Sequence, residues 1–192
     1  MARRTPRKIS AAYLERVTAH YLERHSANRA HLRRLLMQRV YRSAAHHGAE
    51  DGPEDGTEEA LREAGAALVD AELDRLERVG LVNDRQFARD KARAMMRRGS
   101  STRKVQAALR ARGMSAEAVD EALDWLREAQ GDPELAAACT FARKRRLGPW
   151  RRGEADDDAR RKEMAKLGRA GFGFGLARRV VEAEDPEMLE LG

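Results

Sequence analysis

Histidine, aspartate and cysteine are the residue types that could support metal binding or catalysis, but their spacing favours neither. His20 and His25 are five positions apart and do not share the helix face that an i, i+4 metal site requires. The run Asp156–Asp158 is typical of the first turn of a helix, where carboxylates stabilise the macrodipole. Cys139 is the single cysteine and lies among apolar residues, which predicts a small buried side chain and no internal disulfide. We expect no metal, no cofactor and no catalytic residues.

The glycine-rich run GFGFG at residues 171–175 does not match a nucleotide-binding loop. No strand pattern precedes it and no lysine follows it, although phosphate-binding loops need both. The run is typical of a helix that stops, turns and restarts.

The segment from residue 84 to residue 98 predicts a helix with two different faces. Ala88, Ala92 and Met95 fall together at 100° per residue, which predicts a packing side. Arginine recurs every fourth residue on another side and forms a cationic stripe: Arg85, Arg89, Arg93 and Arg97. A solvated helix face with local acid pairs would explain the same pattern, but few acids alternate with these arginines. We therefore favour a surface that binds a polyanion.

Two further groups of basic residues extend this charge. Arg98, Arg103 and Lys104 continue it across a turn, and a second cluster lies in the matching region of a later helix: Arg143, Lys144, Arg145, Arg146, Arg151 and Arg152. Trp150, beside Pro149, could stack on a nucleic-acid base, whereas Trp125 on an apolar helix face is more typical of a core. These basic residues and Trp150 are the candidate binding residues.

Composition limits the class of protein. The 192 residues carry a net charge of +6, with 32 arginines against six lysines and only 5% aromatic residues. Arginine forks suit phosphate oxygens, but an arginine-rich and alanine-rich chain can equally reflect genome base composition. The pI near 9.9 is more informative and favours a polyanionic partner. No stretch approaches the roughly 20 apolar residues of a spanning helix, so we expect a cytoplasmic protein without a membrane partner.

Helix start and stop signals predict an all-α fold of about nine helices without a sheet. The predicted helices cover residues 9–25, 27–46, 57–79, 83–98, 101–112, 115–129, 132–147, 155–170 and 174–183. The run GAEDGPEDGTEE at 48–59 has no apolar periodicity, which predicts an acidic loop.

Similar segments recur along the chain and indicate tandem repeats. ALRARGM at 108–114 matches KLGRAGF at 166–172, with a leucine, a closing glycine and an apolar residue in equivalent places. We predict three three-helix repeats in an elongated, right-handed-type array. Their boundaries are 9–82, which includes the acidic insertion 48–59, then 83–130 and 132–185, with flexible tails at 1–8 and 186–192.

The middle repeat carries a recognisable pattern. GLVNDRQFA at 80–88 is followed by the arginine-rich helix, a GSS turn and VQAALRARGM at 105–114. This segment resembles the signature of the bacterial RecX family, specifically over residues 76–126, although Leu81 stands where an aromatic residue is usual. The acidic insertion and the lengthened WRRGEADDD loop at 150–158 also depart from the family pattern.

The resemblance implies a non-enzymatic regulator of the RecA recombinase. Such proteins lodge in the groove of the RecA–DNA filament, span neighbouring protomers and restrain strand exchange and ATP hydrolysis in DNA repair, recombination and the SOS response. The expected partners are the RecA filament and single-stranded or double-stranded DNA, bound by a monomer, and the resemblance carries over only the basic positions on the fourth and seventh helices. The alternative is a general helical DNA-binding protein that acts without RecA.

Overall fold

The computed structural model describes residues 5–50 and 57–189, and over these residues the fold is all-helical with no strand. It contains nine α-helices: α1 Ala11–Leu22, α2 Arg29–Glu50, α3 Glu58–Arg78, α4 Asp84–Arg97, α5 Thr102–Arg110, α6 Ala116–Gln130, α7 Pro133–Arg145, α8 Asp157–Arg169 and α9 Phe174–Glu182. Two short 3-10 turns, Gly148–Trp150 and Glu187–Leu189, follow α7 and α9. The predicted all-α fold is confirmed. The chain forms two compact units, Met1–Phe87 and Ala88–Gly192.

Local capping explains where several helices begin. The side chains of Ser101, Ser115 and Asp132 accept hydrogen bonds from backbone N–H groups three residues further on. These bonds satisfy donors that the first turn of a helix leaves without an intrahelical partner. Pro133 follows Asp132 at the first helical position, where a missing N–H carries no penalty. These predicted helix starts are confirmed.

The acidic segment is shorter than the sequence pattern predicts. Helix α2 continues past His46 to Glu50, and α3 begins at Glu58 after its cap Thr57. Gly48 lies against Glu58, where an added Cβ would be 2.9 Å from the Glu58 Cα. Packing against α3 therefore extends α2 through Gly48, a residue of low helix propensity. Residues 51–56 of the predicted loop lie outside the described residues.

Helices α1, α2 and α3 share the core of the first unit. Leu14, Leu36 and Leu73 are fully buried within it, and Val82 joins them from the segment before α4. Gly65 permits the close approach of α3 to α2, because a Cβ there would lie 2.5 Å from the Cγ1 of Val40.

A buried carboxylate lies beside this core. Glu72 accepts hydrogen bonds from the Thr18 hydroxyl at 2.6 Å and from the Arg75 Nε at 2.7 Å. Burial raises the pKa of Glu72, but the hydrogen bonds from Arg75 and Thr18 outweigh it, and the pKa is lowered overall. The charged carboxylate thus links α1 to α3.

The second unit repeats one helix ending. Gly113 and Gly171 both have positive φ, at 84° and 96°, where glycine is favoured. The residues that follow them, Met114 and Phe172, are buried and donate backbone hydrogen bonds to the carbonyls of Leu109 and Leu167. The equivalent endings lie in the two segments whose sequences match, while the division into three repeats remains a prediction.

The described parts of the predicted tails make contacts within their own units. The Nε2 of His47 donates to the carbonyl of Pro6 at 3.0 Å. Leu189 is buried at the other end of the described chain.

Candidate polyanion-binding surface

The packing side of α4 determines where its arginines point. Ala88, Ala92 and Met96 are buried, whereas Met95 is only partly buried. The predicted packing residue Met95 is therefore corrected to Met96, because the buried positions follow an i, i+4, i+8 row along the helix.

Two members of the predicted cationic stripe pack against a tryptophan of α6. The guanidinium carbons of Arg89 and Arg93 lie 5.1 Å and 4.6 Å from the ring centroid of Trp125, which is a cation–π distance. Arg89 also lies 3.7 Å from a carboxylate oxygen of Glu121. The Nε atoms of both arginines are shielded from solvent and have no hydrogen-bond partner in the part of the chain that the structure describes. Arg89 and Arg93 thus hold α4 to α6.

The rest of the basic residues in the second unit are mostly exposed. Lys144 donates from Nζ to the carbonyl oxygen of Arg98 at 3.1 Å, and this contact joins the end of α7 to the end of α4. The two basic clusters predicted from the sequence meet at this point. The exposed members are Arg97, Arg98, Arg103, Lys104, Arg143, Lys144, Arg145, Arg146 and Arg152, and we call this set the cationic surface.

Aromatic rings support the end of α7. The guanidinium of Arg143 lies 5.5 Å from the ring centroid of Trp150, and that of Arg145 lies 5.9 Å from the ring of Phe141. Trp150 is partly buried, so the predicted stacking residue presents part of its ring beneath Arg143. Arg146 ends the helix in the left-handed conformation with φ of 56°.

Arg151 has a structural position rather than an exposed one. Its Nη2 donates to Glu163 at 2.9 Å and to the carbonyl of Val181 at 2.7 Å. The same Glu163 oxygen accepts from the backbone N–H of Gly148, so this carboxylate ties the turn after α7 to α8.

A lysine that the sequence analysis missed belongs to the same region. The pKa of Lys91 is lowered by burial and by the nearby positive charges of Arg112 and Arg98. Lys91 lies on α4 seven residues before Arg98, which directly follows the helix, and this spacing, which is that of one helix face, could have indicated it. Several cations are therefore held close together here, and an anionic ligand would relieve their repulsion.

Arg85 belongs to the first unit, where it is exposed in the first turn of α4. That Arg85 shares a binding surface with the other basic residues stays a prediction from the sequence.

The other sequence candidates do not form a metal site. In residues 5–50 and 57–189 no three histidine, cysteine or carboxylate side chains come together in a way that could hold an ion. Asp156 caps α8 by accepting from the N–H of Ala159, which confirms the structural interpretation of the run Asp156–Asp158. Cys139 is partly buried rather than buried. Over the described residues, every helix is too short or too polar to span a bilayer.

Comparisons with known proteins agree with this architecture. The family model described as RecX, second three-helix domain, matches residues 83–123, which span α4, α5 and most of α6. The regulatory protein RecX of Myxococcus xanthus (strain DK1622) is 40% identical over 180 residues, covering 93% of this chain and 89% of that protein. The regulatory protein RecX of Agrobacterium fabrum (strain C58 / ATCC 33970) is 35% identical over 109 residues, covering 54% of this chain and 56% of that protein.

A solved structure supports the fold independently. A crystal structure of a regulatory protein RecX matches with a TM-score of 0.61 at 17% identity, covering 90% of this chain and 72% of that chain. The fold thus defines an all-helical protein built from three-helix units. The chain belongs to the RecX family of regulatory proteins.

Proposed function

We propose that this chain binds the filament that RecA forms on DNA and restrains its recombinase and ATPase activities. Membership of a family of regulatory proteins and the resemblance of residues 76–126 to the RecX signature support this proposal. The single observation that carries it is the contact of Lys144 with Arg98, which brings the basic residues of α4 and α7 onto one surface.

The cationic surface is the part of the second unit that we assign to the filament. Guanidinium groups bind phosphate oxygens and carboxylates in bidentate geometry, so the surface suits both the DNA backbone and acidic patches of a protein. Arg89, Arg93 and Arg151 act through the scaffold, since their charges already face Trp125 or Glu163. Arg85 and Trp150 complete the candidate contacts. The protein acts as a monomer of three three-helix repeats in the cytoplasm, within DNA repair, recombination and the SOS response.

The RecA ATPase that depends on single-stranded DNA tests this proposal. We expect the chain to suppress ATP hydrolysis at concentrations well below those that cover the DNA, because one bound copy acts on a cooperative filament. A variant with Arg97, Arg98 and Lys144 changed to Gln should suppress hydrolysis less. Inhibition only when the DNA is saturated would contradict the proposal.

The alternative is a DNA-binding protein that acts without RecA, and the pI near 9.9 favours it on charge alone. It predicts that the chain excludes any single-strand-dependent ATPase from DNA equally well. A helicase with an ATPase that depends on single-stranded DNA is the matched control. Equal inhibition of both enzymes at DNA saturation would favour the alternative, and selective inhibition of RecA would exclude it.

A further inference from the structure

A cavity of about 740 Å³ lies in the first unit, between the segment 5–8 and helices α1 and α2. Its volume is within the range of roughly 300–1,000 Å³ that is usual for small-molecule sites. The residues that give the cavity its chemistry are Arg7, Arg39, Arg42 and His46, with Tyr13 and Ala45 as apolar wall. Among the described residues no carboxylate lines it. The cavity is therefore basic, and part of its wall is apolar.

The arginines of this cavity differ from those earlier in α2. Arg29 pairs with two carboxylates of α3, at 2.8 Å and 2.7 Å, and Arg33 pairs with Asp70 at 2.8 Å. The charges of these two are balanced within the fold. Arg39 and Arg42 lie further along the same helix and line the cavity instead. The Nε of Arg39 is shielded from solvent and has no hydrogen-bond partner among the described residues, so a buried donor remains to be satisfied.

The walls of the cavity are built by the fold. The hydrogen bond from His47 to the carbonyl of Pro6 holds the segment that carries Arg7 against α2. Arg42 donates from Nε to the carbonyl of Gln38 at 3.1 Å, which orients the side chain, and no bond from its terminal nitrogens occurs among the described residues.

We propose that this cavity binds a nucleotide unit, with its phosphate between the arginines and its base or sugar against Tyr13. Converging guanidinium groups favour phosphate oxygens, because each can donate two parallel hydrogen bonds and the group is always charged. A tyrosine ring offers a flat surface on which a base can stack. The nucleotide is either free or part of a single strand, and both present the same phosphate and ring to the site. The inference does not depend on RecA.

Binding of ADP, measured by calorimetry on the full chain, tests the site, and anisotropy of a fluorescein-labelled oligothymidylate separates the two sources. The variant with Arg39→Gln and Arg42→Gln should weaken the binding of the true ligand by roughly tenfold or more, since it removes two charged donors. The matched control is Arg16→Gln with Arg78→Gln, which removes the same charge from exposed positions that do not line the cavity. Circular dichroism and thermal unfolding check that each variant is folded.

A free nucleotide and a single strand predict different results for the two probes. Loss of ADP binding with unchanged oligothymidylate binding supports a free nucleotide, and loss of oligothymidylate binding beyond that of the control supports a strand. Equal binding of both probes by the variant and the control would overturn the proposal, as would a wild-type chain that binds neither probe. Should the double variant fail to fold, Arg42→Gln alone removes an exposed side chain and should show the same loss to a smaller extent, with partial recovery in Arg42→Lys. A wild-type chain that binds ADP at this cavity but does not inhibit the RecA ATPase would count against the proposed function alone.

Discussion

Lys144, in the last turn of α7, donates a hydrogen bond from its ammonium group to the carbonyl oxygen of Arg98, 3.1 Å away and just beyond α4. The two residues are 46 positions apart in the sequence. The contact places the positive charge of Lys144 beside the end of α4. Cations near a helix C-terminus are stabilised by its partial negative charge. The Lys144 ammonium lies at the C-terminal end of α4 and is therefore stabilised there.

Removing charge from this surface should weaken polyanion binding with little effect on folding. For a variant with Arg97, Arg98 and Lys144 changed to Gln, we expect stability within about 1 kcal/mol of the wild type, because exposed charges contribute little to folding. The slope of log affinity for single-stranded DNA against log salt should flatten by roughly 0.7 for each lost phosphate contact.

The matched control for this variant changes Arg161, Lys166 and Arg169 to Gln, which removes the same number of exposed charges from α8. Its salt slope should stay close to that of the wild type. An unchanged slope together with lost RecA inhibition would assign the cationic surface to an acidic protein partner instead of DNA.

Replacing Arg93 should lower the stability of the fold, unlike the replacement of the exposed cations. Its guanidinium lies 4.6 Å from the ring centroid of Trp125, so Arg93→Gln removes a partly desolvated cation–π contact and should lower the free energy of unfolding by about 0.5–2 kcal/mol. Urea unfolding followed by circular dichroism measures this loss, and Arg93→Lys should recover part of it. Unchanged stability combined with weaker DNA binding would move Arg93 from the scaffold to the binding surface.

Much of the helical architecture could be predicted from the sequence because helix ends depend on local chemistry. Ser101 and Ser115 accept from N–H groups three residues on, and Gly113 has the positive φ that favours glycine, so each signal lies within the element that it defines. The extension of α2 to Glu50 was missed because it depends on packing against α3, which no local pattern reports.

The candidate site was harder to predict for the same reason. The i, i+4 spacing placed Arg89 and Arg93 on one side of a helix, but not the ring of Trp125 above them. The cavity around Arg39 was missed because its walls come from three separate segments of the chain. Spacing within one helix indicates which residues share a face, and only the fold decides what lies opposite that face.

The hydrogen bond from Thr18 to Glu72 predicts a pH-dependent stability. The pKa of Glu72 is raised by burial but lowered overall by the bonds from Arg75 and Thr18. A lowered folded-state pKa means that this stabilisation is present above the ordinary value of 4.5 and is lost as the pH falls through the folded value. Thr18→Val should therefore lower the free energy of unfolding by about 1–2 kcal/mol at neutral pH.

This difference between Thr18→Val and the wild type should shrink as the pH falls below the ordinary value of 4.5 and through the lowered pKa of Glu72 in the folded protein, because the carboxylate then becomes protonated. Chemical unfolding across the pH range measures it. Thr140→Val, in the second unit, is the control and should show no such pH dependence. A constant difference between Thr18→Val and the wild type at every pH would contradict the role of the charged carboxylate.

At Arg146, a single substitution should change stability and DNA binding in opposite directions. It ends α7 with φ of 56°, a conformation that costs a residue with a Cβ more than it costs glycine. Arg146→Gly should raise the free energy of unfolding by about 0.5–1 kcal/mol while removing one charge from the cationic surface. Thermal unfolding and DNA titration on the same samples should show a more stable protein that binds less tightly. A less stable variant would show that the arginine side chain supports the fold.

The last prediction concerns residues 51–56, DGPEDG, the part of the acidic run between α2 and α3. The segment has no apolar side chain to bury, and the entropy of loop closure changes slowly with length, so a Gly-Ser linker of the same length should leave thermal unfolding nearly unchanged. A version with the same six residues in shuffled order keeps charge and length and serves as the control.

DNA binding tests whether these acids compete with DNA for basic residues. We expect no competition, so the linker variant should bind single-stranded DNA as the wild type does. Tighter binding by the linker variant, but not by the shuffled control, would show that the acids occupy a basic site in the free protein. A large loss of stability in the linker variant alone would show that they support the fold, and would overturn the prediction.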